Sequence, residues 1–372
     1  MRLSLHAREA LSAYGFLLPF LAMIGIFFGY AFVRTLYFSL HAYDLSIRPP
    51  AWVGIANYLA IIERPLFLLA LRNTIAFAAV VTTMQTLAAL LLALALNNRV
   101  VGVGAFRTAY YLPSVTSSIV ITLIFIWLYQ RRGAVNFLLT EILRLAPIIV
   151  AFLLVLVAVQ LAQALFERSQ GLPAAWTDPA LMVTSALVAL AVTIGLSLTG
   201  VIRPAEASAV DIPWLTTTAT FPAGGPAVSR VPIPLWAIMS LNIWTTAPTL
   251  MIMFLAALQN VPRSLYEAAA IDGAGTFQQH LYVTIPSIRP VLFLVIALGL
   301  IGTLQVFDQV AITAGIAPLE GVVTLAYFVY TSAFPTGATP QIGIASAAAM
   351  ILALLTGLFV LIQRRFLASE AQ

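Results

Sequence analysis

Polar side chains inside two long apolar runs are the residues of this sequence best suited to bind a small molecule. Each set falls on one face of a helix because its members are spaced three, four or seven residues apart. The two stripes are Asn242, Thr246 and Thr249, and Gln305, Asp308 and Gln309. An amide offers both a donor and an acceptor, which suits a solute rich in hydroxyl groups. We therefore predict solute contacts for these stripes, led by Asn242 and Gln305.

Two alternatives to solute binding apply to these residues. Buried polar groups also hydrogen-bond between membrane helices, and this structural role is the stronger prediction for Thr246 and Thr249. Asp308 is the only charged residue within any of the long apolar runs described below, and it lies near the end of its run, where water can hydrate it.

The composition gives little support for covalent catalysis or metal binding. The absence of cysteine excludes disulfides, thiol catalysis and cysteine-bound metals. All 18 basic residues are arginine, which excludes the lysine of a P-loop ATPase and Schiff-base chemistry. The three histidines are scattered without metal-ligand spacing. We predict no catalytic residue, no metal and no cofactor.

The composition requires a lipid environment. Only 8% of the residues are charged and 62% are hydrophobic, whereas soluble domains carry about 25% charged residues. The net charge of +5 comes from arginines dispersed between apolar runs. They are typical of loops at membrane surfaces, so no nucleic acid partner is predicted.

The apolar runs predict an all-α, polytopic membrane protein with about eight transmembrane helices. A helix needs about 20 apolar residues to cross the hydrocarbon core. Eight runs meet this length, at 14–33, 73–96, 108–129, 146–166, 179–202, 233–258, 290–315 and 342–362. The first has no cleavage pattern, so we predict a span and not a signal peptide. A ninth run, 322–334, is too short and is predicted to lie in an external loop, as an interfacial helix.

The spans divide into three regions. Residues 1–72 hold the first span and an external loop, and 73–145 with 211–372 form the core. Residues 146–210 contain two spans joined by a polar turn, which predicts an inserted helical hairpin. Two crossings leave the topology of the later spans unchanged. The arginines divide evenly between the two sides, so the positive-inside rule does not set the orientation.

The loop 259–289, which lies on the same side as both termini, has the features of a compact helical elbow. Ser264 and Glu267 are spaced as a capping box at the start of a short helix. Gly273 and Gly275 suit its C-terminal stop, and a second short helix follows. Small side chains along the elbow would let another protein approach closely.

The same loop resembles the EAA loop of ABC importer permeases. That pattern is Glu-Ala-Ala, three residues, glycine, nine residues and Ile-x-Leu-Pro, and the matching residues here are Glu267, Ala268, Ala269, Gly273 and the run 283–286. Two of its positions carry conservative changes, valine for isoleucine and isoleucine for leucine.

Other positions extend the resemblance over nearly the whole chain except about 146–210. They are typical of the binding-protein-dependent carbohydrate uptake branch, and of the first permease subunit of the maltose and glycerol-3-phosphate importer type. The matching segments are 52–54, Asn57-Tyr58, Asn73-Thr74, 107–113, Trp244 with Pro248, and 306–308. One departure is Gly-Ile-Ala-Pro at 315–318, where the family has Gly-Gly-Pro; it concerns the external contact of that loop.

The resemblance implies a division of labour. Glu267, Ala268, Ala269 and Gly273 would dock on a separate cytoplasmic ATP-binding subunit. We add Asp272 as a charge at the end of the docking helix, although it can equally be a solvated helix-end charge. The further partners implied are a second permease subunit in a heterodimer, an extracytoplasmic solute-binding protein and the bilayer. The implied location is the bacterial or archaeal cytoplasmic membrane, with both termini cytoplasmic.

Other classes of function remain open at the level of sequence. A stand-alone secondary transporter would carry more charged groups within its spans than Asp308 alone. An intramembrane enzyme would need a nucleophile and base or a metal cluster, which the spans do not offer. A scaffold for the ATPase that transports nothing would also explain the elbow. The predicted solute is a sugar, with other polyols and glycerol phosphodiesters as alternatives.

Overall fold

A computed structural model describes residues 5–45, 49–97, 103–171, 178–222 and 230–368. The chain forms two compact units, one made of Met1–Phe125 and Leu215–Gln372 and the other of Ile126–Trp214. The second unit is wider than the insertion predicted at 146–210.

Helices account for almost all of the described structure. In chain order they are α1 (Leu5–Ile24), α2 (Tyr30–Ser39), α3 (Ala56–Ile62), α4 (Pro65–Asn97), α5 (Val103–Val115), α6 (Ser118–Leu128), α7 (Ala134–Ser169), α8 (Pro179–Leu198), α9 (Ile233–Gln259), α10 (Arg263–Ile271), α11 (Thr276–Gln279), α12 (Ile285–Ser287), α13 (Arg289–Leu304), α14 (Asp308–Thr313), α15 (Leu319–Val322), α16 (Leu325–Ala333) and α17 (Ile342–Ala368). Short π-helical turns, Gly25–Gly29 and His280–Thr284, join α1 to α2 and α11 to α12.

Two short antiparallel ribbons are the strands found among the described residues. Strand β1 (His41–Ala42) pairs with β2 (Ala51–Trp52), and β3 (Thr220–Phe221) pairs with β4 (Val231–Pro232). The predicted all-α membrane fold is confirmed.

Seven stretches of helix within the described ranges are long and apolar enough to cross a membrane. They are Ser12–Ser39, Pro65–Asn97, Ala134–Ser169, Pro179–Leu198, Ile233–Gln259, Arg289–Thr313 and Ile342–Arg365. An eighth candidate is the bent pair formed by α5 and α6. The predicted number of about eight spans therefore holds.

The third predicted span, 108–129, is not one straight helix. It breaks after Val115 and continues from Ser118 at an angle of 105°. At the break, side-chain hydroxyls hydrogen-bond to backbone carbonyls. Ser114 Oγ donates to Tyr111 O and Thr116 Oγ1 donates to Leu112 O, each at 2.8 Å. Such local side-chain bonds compete with helical hydrogen bonds, and hydropathy does not register them.

The seventh predicted span, 290–315, also departs from one regular helix. Helix α13 ends at Leu304, and α14 begins at Asp308 after Phe307, whose φ is −132°. The break is supported from outside, because buried Thr324 donates its hydroxyl to the Val306 carbonyl at 3.0 Å. The prediction that Gln305, Asp308 and Gln309 share one continuous helical stripe is therefore wrong.

The core of the first unit is built around α4 and α9. Near the start of both helices, Phe77, Val81, Leu235 and Ile238 belong to one buried apolar cluster. Near their ends, a second cluster holds a larger set of buried side chains, among them Ala89, Ala93, Met251, Phe254 and Leu258. A third cluster packs α17 against α3 and α16.

Two of the sequence motifs act as internal hydrogen-bonding anchors. Buried Asn73 donates to the Val323 carbonyl at 3.0 Å, and Thr74 accepts from the Leu325 backbone at 2.8 Å. Asn57 donates to the carbonyls of Ser39 and His41, both at 2.9 Å. These motif residues satisfy backbone groups where helices end, so their role in the described structure is to hold the fold.

The second unit is a helical hairpin closed by a polar clamp. Helices α7 and α8 pack together, with Ser185 donating to Gln160 Oε1 at 2.6 Å. At the open end, Arg131 forms a bidentate pair with Asp211 at 2.9 and 2.7 Å. Asn136 donates to the Arg131 carbonyl and accepts from the Trp214 indole at 2.7 Å. The clamp therefore ties the entry and exit of the hairpin together.

Candidate functional site

A cavity of about 450 Å³ opens among the helices of the first unit. Its walls come from α4, from the break between α5 and α6, from α9, and from α13 and α14. A volume of this size is typical of small-molecule sites. The α5–α6 break thus contributes residues to the cavity, and the helices on either side of the α13–α14 break do so as well.

Amide and hydroxyl groups supply the polar lining of this cavity. The polar members are Gln85, Ser114, Thr116, Ser118, Asn242, Thr245, Thr246, Thr249, Thr303 and Gln309. The remaining lining residues are apolar or glycine, and no charged side chain is found among the described residues that line it.

Hydrogen bonds between helices hold the amides of the lining in place. Asn242 Nδ2 donates to Gln309 Oε1 at 3.1 Å, which joins α9 to α14. The Thr246 hydroxyl lies 2.6 Å from Gln85 Oε1 and 2.7 Å from the Asn242 carbonyl, so its single proton has two acceptors. Thr82 and Thr303 are joined hydroxyl to hydroxyl at 2.9 Å. These bonds form a polar layer that links four helices.

The polar layer lies between the two apolar clusters of the core. Along α9, the cluster residues Leu235 and Ile238 precede Asn242 and Thr246, and Phe254 follows them. Thr246 is the central residue of the Ile233–Gln259 span, so the layer lies near mid-membrane. Polar groups at this depth are costly and occur where they serve a cavity or a partner.

Gly299 permits the close approach of α13 to α4. A Cβ added there would lie 2.5 Å from Gln85 Nε2, and the Gln85 side chain is already held by Thr246. Any larger residue at 299 would displace Gln85 from the cavity wall.

The structure brings together four of the six predicted pathway residues. Asn242, Thr246, Thr249 and Gln309 line the cavity. The others, Gln305 and Asp308, are exposed and do not line it, because the helix break turns them away from the face that carries Gln309.

Gln85 was missed by the sequence analysis. It is almost fully buried, lines the cavity and bonds to Thr246. A signal was present, since Gln85 is an amide in the middle of the apolar run 73–96 with threonines on both sides. It stands alone and not in a stripe of amides, which is why spacing did not select it.

The predicted coupling residues lie on an exposed helix. Helix α10 has no buried residue, and Glu267, Ala268, Asp272 and Gly273 are exposed while Ala269 is half-buried. A helix between two spans with this exposure presents a free face for a protein partner.

The predicted capping box of Ser264 and Glu267 is wrong. The helix begins at Arg263, after Pro262 in the N-cap position, so Ser264 is already inside the first turn. A side-chain cap to the backbone occurs instead one helix later, where Gly275 N donates to Gln278 Oε1 at 2.9 Å.

The predicted glycine stop at Gly273 is confirmed. Its φ is +83°, in the left-handed region that glycine tolerates. Its backbone N–H donates to Ala270 O at 3.0 Å, and that of Ala274 to Ala269 O at 2.9 Å. This pair of bonds is a Schellman motif, which fixes where α10 ends.

A buried hydroxyl connects the elbow to the following helix. Thr284, in the π-helical turn His280–Thr284, lies 3.0 Å from the Tyr266 hydroxyl and 3.2 Å from His280 Nδ1. Tyr266 belongs to α10, so this contact sets the angle of α10 against the turn. Single π-helical turns are often found at functional positions.

Exposed apolar side chains surround α10. Ile271 is 86% exposed and Phe277 is 78% exposed. Large apolar groups that remain in water mark surfaces that another protein covers. These side chains were not among the predicted docking residues, because that prediction rested on the small and charged residues of the loop.

Comparison with known proteins identifies relatives along most of the chain. No protein-family model matches it. The lactose transport permease LacF of Rhizobium radiobacter is 27% identical over 340 residues, 90% of this chain and 87% of that protein. The trehalose/maltose transport permease MalF of Thermococcus litoralis is 25% identical over 315 residues, 84% of this chain and 80% of that protein.

Solved structures share the fold. A chain of a bacterial ABC transporter that imports the acidic polysaccharide alginate aligns with a TM-score of 0.64, 19% identity and 98% coverage of both chains. A bacterial alginate ABC transporter in complex with a pentasaccharide-bound periplasmic protein gives 0.62, with 20% identity and 96% and 94% coverage. The chain is thus similar in sequence to permease proteins of sugar transport systems, and it shares its fold with a chain of an ABC importer.

Proposed function

We propose that this permease forms half of a solute pathway and couples it to a separate ATPase subunit, with a neutral sugar or related polyol as the solute. The second half is a different permease subunit, and an extracytoplasmic solute-binding protein delivers the solute. Both termini and the α10 elbow face the cytoplasm. The permease itself holds no ATP and carries out no hydrolysis.

The polar layer in the cavity is the observation that supports the proposed class of solute. Its amides and hydroxyls pair with solute hydroxyls through both donors and acceptors. Among the described residues, the lining offers no positive charge, which an anionic solute would need as a counterion at this depth. The transport of lactose and of trehalose or maltose by relatives supports a neutral sugar.

The coupling role is supported by α10. It is short, fully outside the core and stopped at Gly273, and its exposed face carries the Glu-Ala-Ala sequence. Alternating access would follow if ATP-driven movement of the partner displaces α10 and the Thr284 turn passes this to α13. This is a two-state equilibrium that partner binding biases.

Co-purification with the products of neighbouring genes tests the proposal. An ATPase subunit should accompany the wild type and be lost with Glu267→Arg or Gly273→Arg. The matched control is Arg289→Gln, at the last position of the loop and the first of α13, which should retain the subunit. In liposomes, the complex should take up a neutral sugar only when ATP and the binding protein are both present.

Three results would contradict the proposal in different ways. Uptake by the chain alone without ATP would favour a secondary transporter. An ATPase complex that hydrolyses ATP but moves no solute of any class would favour the scaffold. Retention of the ATPase by both elbow variants would remove α10 as the docking site.

A further inference from the structure

A second, apolar cleft lies inside the helical hairpin of the 126–214 unit. It has a volume of about 380 Å³ and lies between α7 and α8. Its lining is apolar apart from two hydroxyl residues, Thr193 and Ser197. The apolar walls are Ile148, Ile149, Phe152, Leu190, Ile194 and Leu198.

The two hydroxyls in this cleft lack hydrogen-bond partners among the described residues. Thr193 is only 4% exposed, and neither its Oγ1 nor the buried Oγ of Ser197 is bonded. Elsewhere on the same helix, Thr184 and Thr199 donate to the carbonyls four residues earlier, at 3.1 and 3.0 Å. A helical hydroxyl in lipid normally takes that acceptor. Thr193 and Ser197, one turn apart, are therefore open to an acceptor from outside the chain.

Positive charge lies at one end of the cleft. Arg144 is one turn before Ile148 on the same face of α7, and Arg203 follows the end of α8. The Ala205 backbone donates to the Arg144 carbonyl at 2.8 Å, so both arginine segments meet there. Within the described part of the chain, Arg203 Nε bonds to the Gly200 carbonyl at 3.2 Å, and the Arg144–Glu141 pair is 3.7 Å long and exposed. An anion can compete with contacts this weak.

We propose that this cleft binds one anionic phospholipid from the surrounding bilayer. An acyl chain packs along Phe152 and Leu190, an ester carbonyl accepts from Ser197 and Thr193, and the phosphate lies between Arg144 and Arg203. The depths agree, because Ser197 is in the last turn of the α8 span, where the ester groups of a lipid lie. Along the cleft, the apolar walls, the hydroxyl donors and the arginines therefore follow the same order as the acyl chain, the ester group and the phosphate of a phospholipid.

A transmembrane helix from a partner protein would fit these groups less well. The backbone carbonyls of such a helix already accept one bond within it and lie beneath its own side chains, so Thr193 and Ser197 would need a polar side chain of the partner as their acceptor. A helix also brings no anion to the two arginines. The cleft belongs to the 126–214 unit and the solute cavity to the first unit. This proposal therefore does not depend on which solute is transported.

Native mass spectrometry of the purified full chain in mild detergent tests the lipid site. Phosphatidylglycerol and phosphatidylcholine are the probes, added singly. The Thr193→Val and Ser197→Ala double variant should lower the fraction carrying one phosphatidylglycerol at least fivefold. The matched control, Thr184→Val with Thr199→Val, removes two hydroxyls that already have acceptors and should bind as the wild type does.

The arginines are tested by their lipid preference. Arg144→Gln with Arg203→Gln should reduce phosphatidylglycerol binding about fivefold and leave phosphatidylcholine binding unchanged. Arg168→Gln, at the other end of α7, is the control and should change neither.

Unaltered phosphatidylglycerol binding in the hydroxyl double variant would overturn the site. Loss of a partner subunit from that variant with full lipid binding would assign the cleft to a protein helix instead. If the double variant does not fold, Ser197→Phe provides the second test, because a ring at 197 fills the cleft. Retention of the lipid by a monodisperse Ser197→Phe protein would also refute the proposal.

Discussion

At the scale of single residues, the cavity depends on Gln85. The residue is buried, lines the cavity and holds the Thr246 hydroxyl at 2.6 Å. Its loss removes a polar group from the wall, while Thr246 keeps the Asn242 carbonyl as an acceptor. The local fold should therefore survive a substitution that the solute detects.

We expect Gln85→Leu to raise the KM for solute uptake about tenfold, which corresponds to ~1.4 kcal/mol. Uptake into liposomes that contain the assembled importer measures this effect. Thr83→Val, which removes an exposed hydroxyl on the same helix bonded to Ala79 O, should leave KM unchanged. An unaltered KM in Gln85→Leu would remove this residue from the pathway.

The end of α10 offers a second test at the same scale. Gly273→Ala places a side chain at φ +83°, which costs about 1 kcal/mol in the left-handed region. Gly275→Ala is a matched control, since its φ is −70° and a Cβ there meets nothing closer than 3.9 Å. We expect about fivefold weaker ATPase binding for the first variant only. Equal binding by both would show that the helix stop does not matter for docking.

At the scale of elements, the proposed coupling role predicts that movement of the elbow reaches α13 through the contact between α10 and the π-helical turn His280–Thr284. Thr284→Val leaves the Tyr266 hydroxyl without its partner, so α10 should lose its fixed angle. We expect ATP hydrolysis to continue while uptake falls severalfold, which raises the ATP consumed per solute imported. Thr284→Ser keeps the hydroxyl and should restore the ratio. A valine variant with a normal ratio would mean that the turn only packs.

Elements were predictable from the sequence to different degrees. Hydropathy is a sum over about 20 residues, so it found the spans and the bent third segment as membrane helices. The break at 116–117 depends on two hydroxyl bonds within its own run, and the break at 305–307 on a bond from another segment, Thr324 to Val306. A sum over one run contains no such information. The stripe at Gln305 failed for that reason, whereas the stripe at Asn242 lies on an unbroken helix and lines the cavity.

Local chemistry was predictable where one residue type decides the conformation. Gly273 was correctly expected to stop a helix because only its φ matters. The capping box at Ser264 failed because Pro262 takes the N-cap position and the helix starts two residues early. Exposure of Ile271 and Phe277 requires the fold, since sequence does not tell which apolar residues remain in water.

At the scale of the whole molecule, the hairpin of the second unit can be removed, because the chain segments on either side of it lie close together. The Ala205 amide lies 2.8 Å from the Arg144 carbonyl, so the chain can pass directly from one to the other. The Arg131–Asp211 pair and the Asn136 contacts lie outside that junction and would remain.

Deletion of residues 145–204 should therefore yield a protein that inserts, binds its ATPase and imports solute within about twofold of the wild type. Uptake per assembled complex checks this, and the same preparation should have lost the bound phosphatidylglycerol. A correctly inserted deletion variant without uptake would show that the hairpin takes part in transport.

The exposure of Ile271 and Phe277 should affect how fast unassembled copies of the protein are degraded in the cell. A copy made without its partner keeps two large apolar side chains in water, where proteases and chaperones that survey nascent membrane proteins find them. Partner binding hides the same side chains. Subunit numbers could then be balanced after synthesis by selective degradation of the excess copies, and pulse-chase labelling with the partner gene deleted should show a shortened half-life that Ile271→Ser with Phe277→Ser lengthens again.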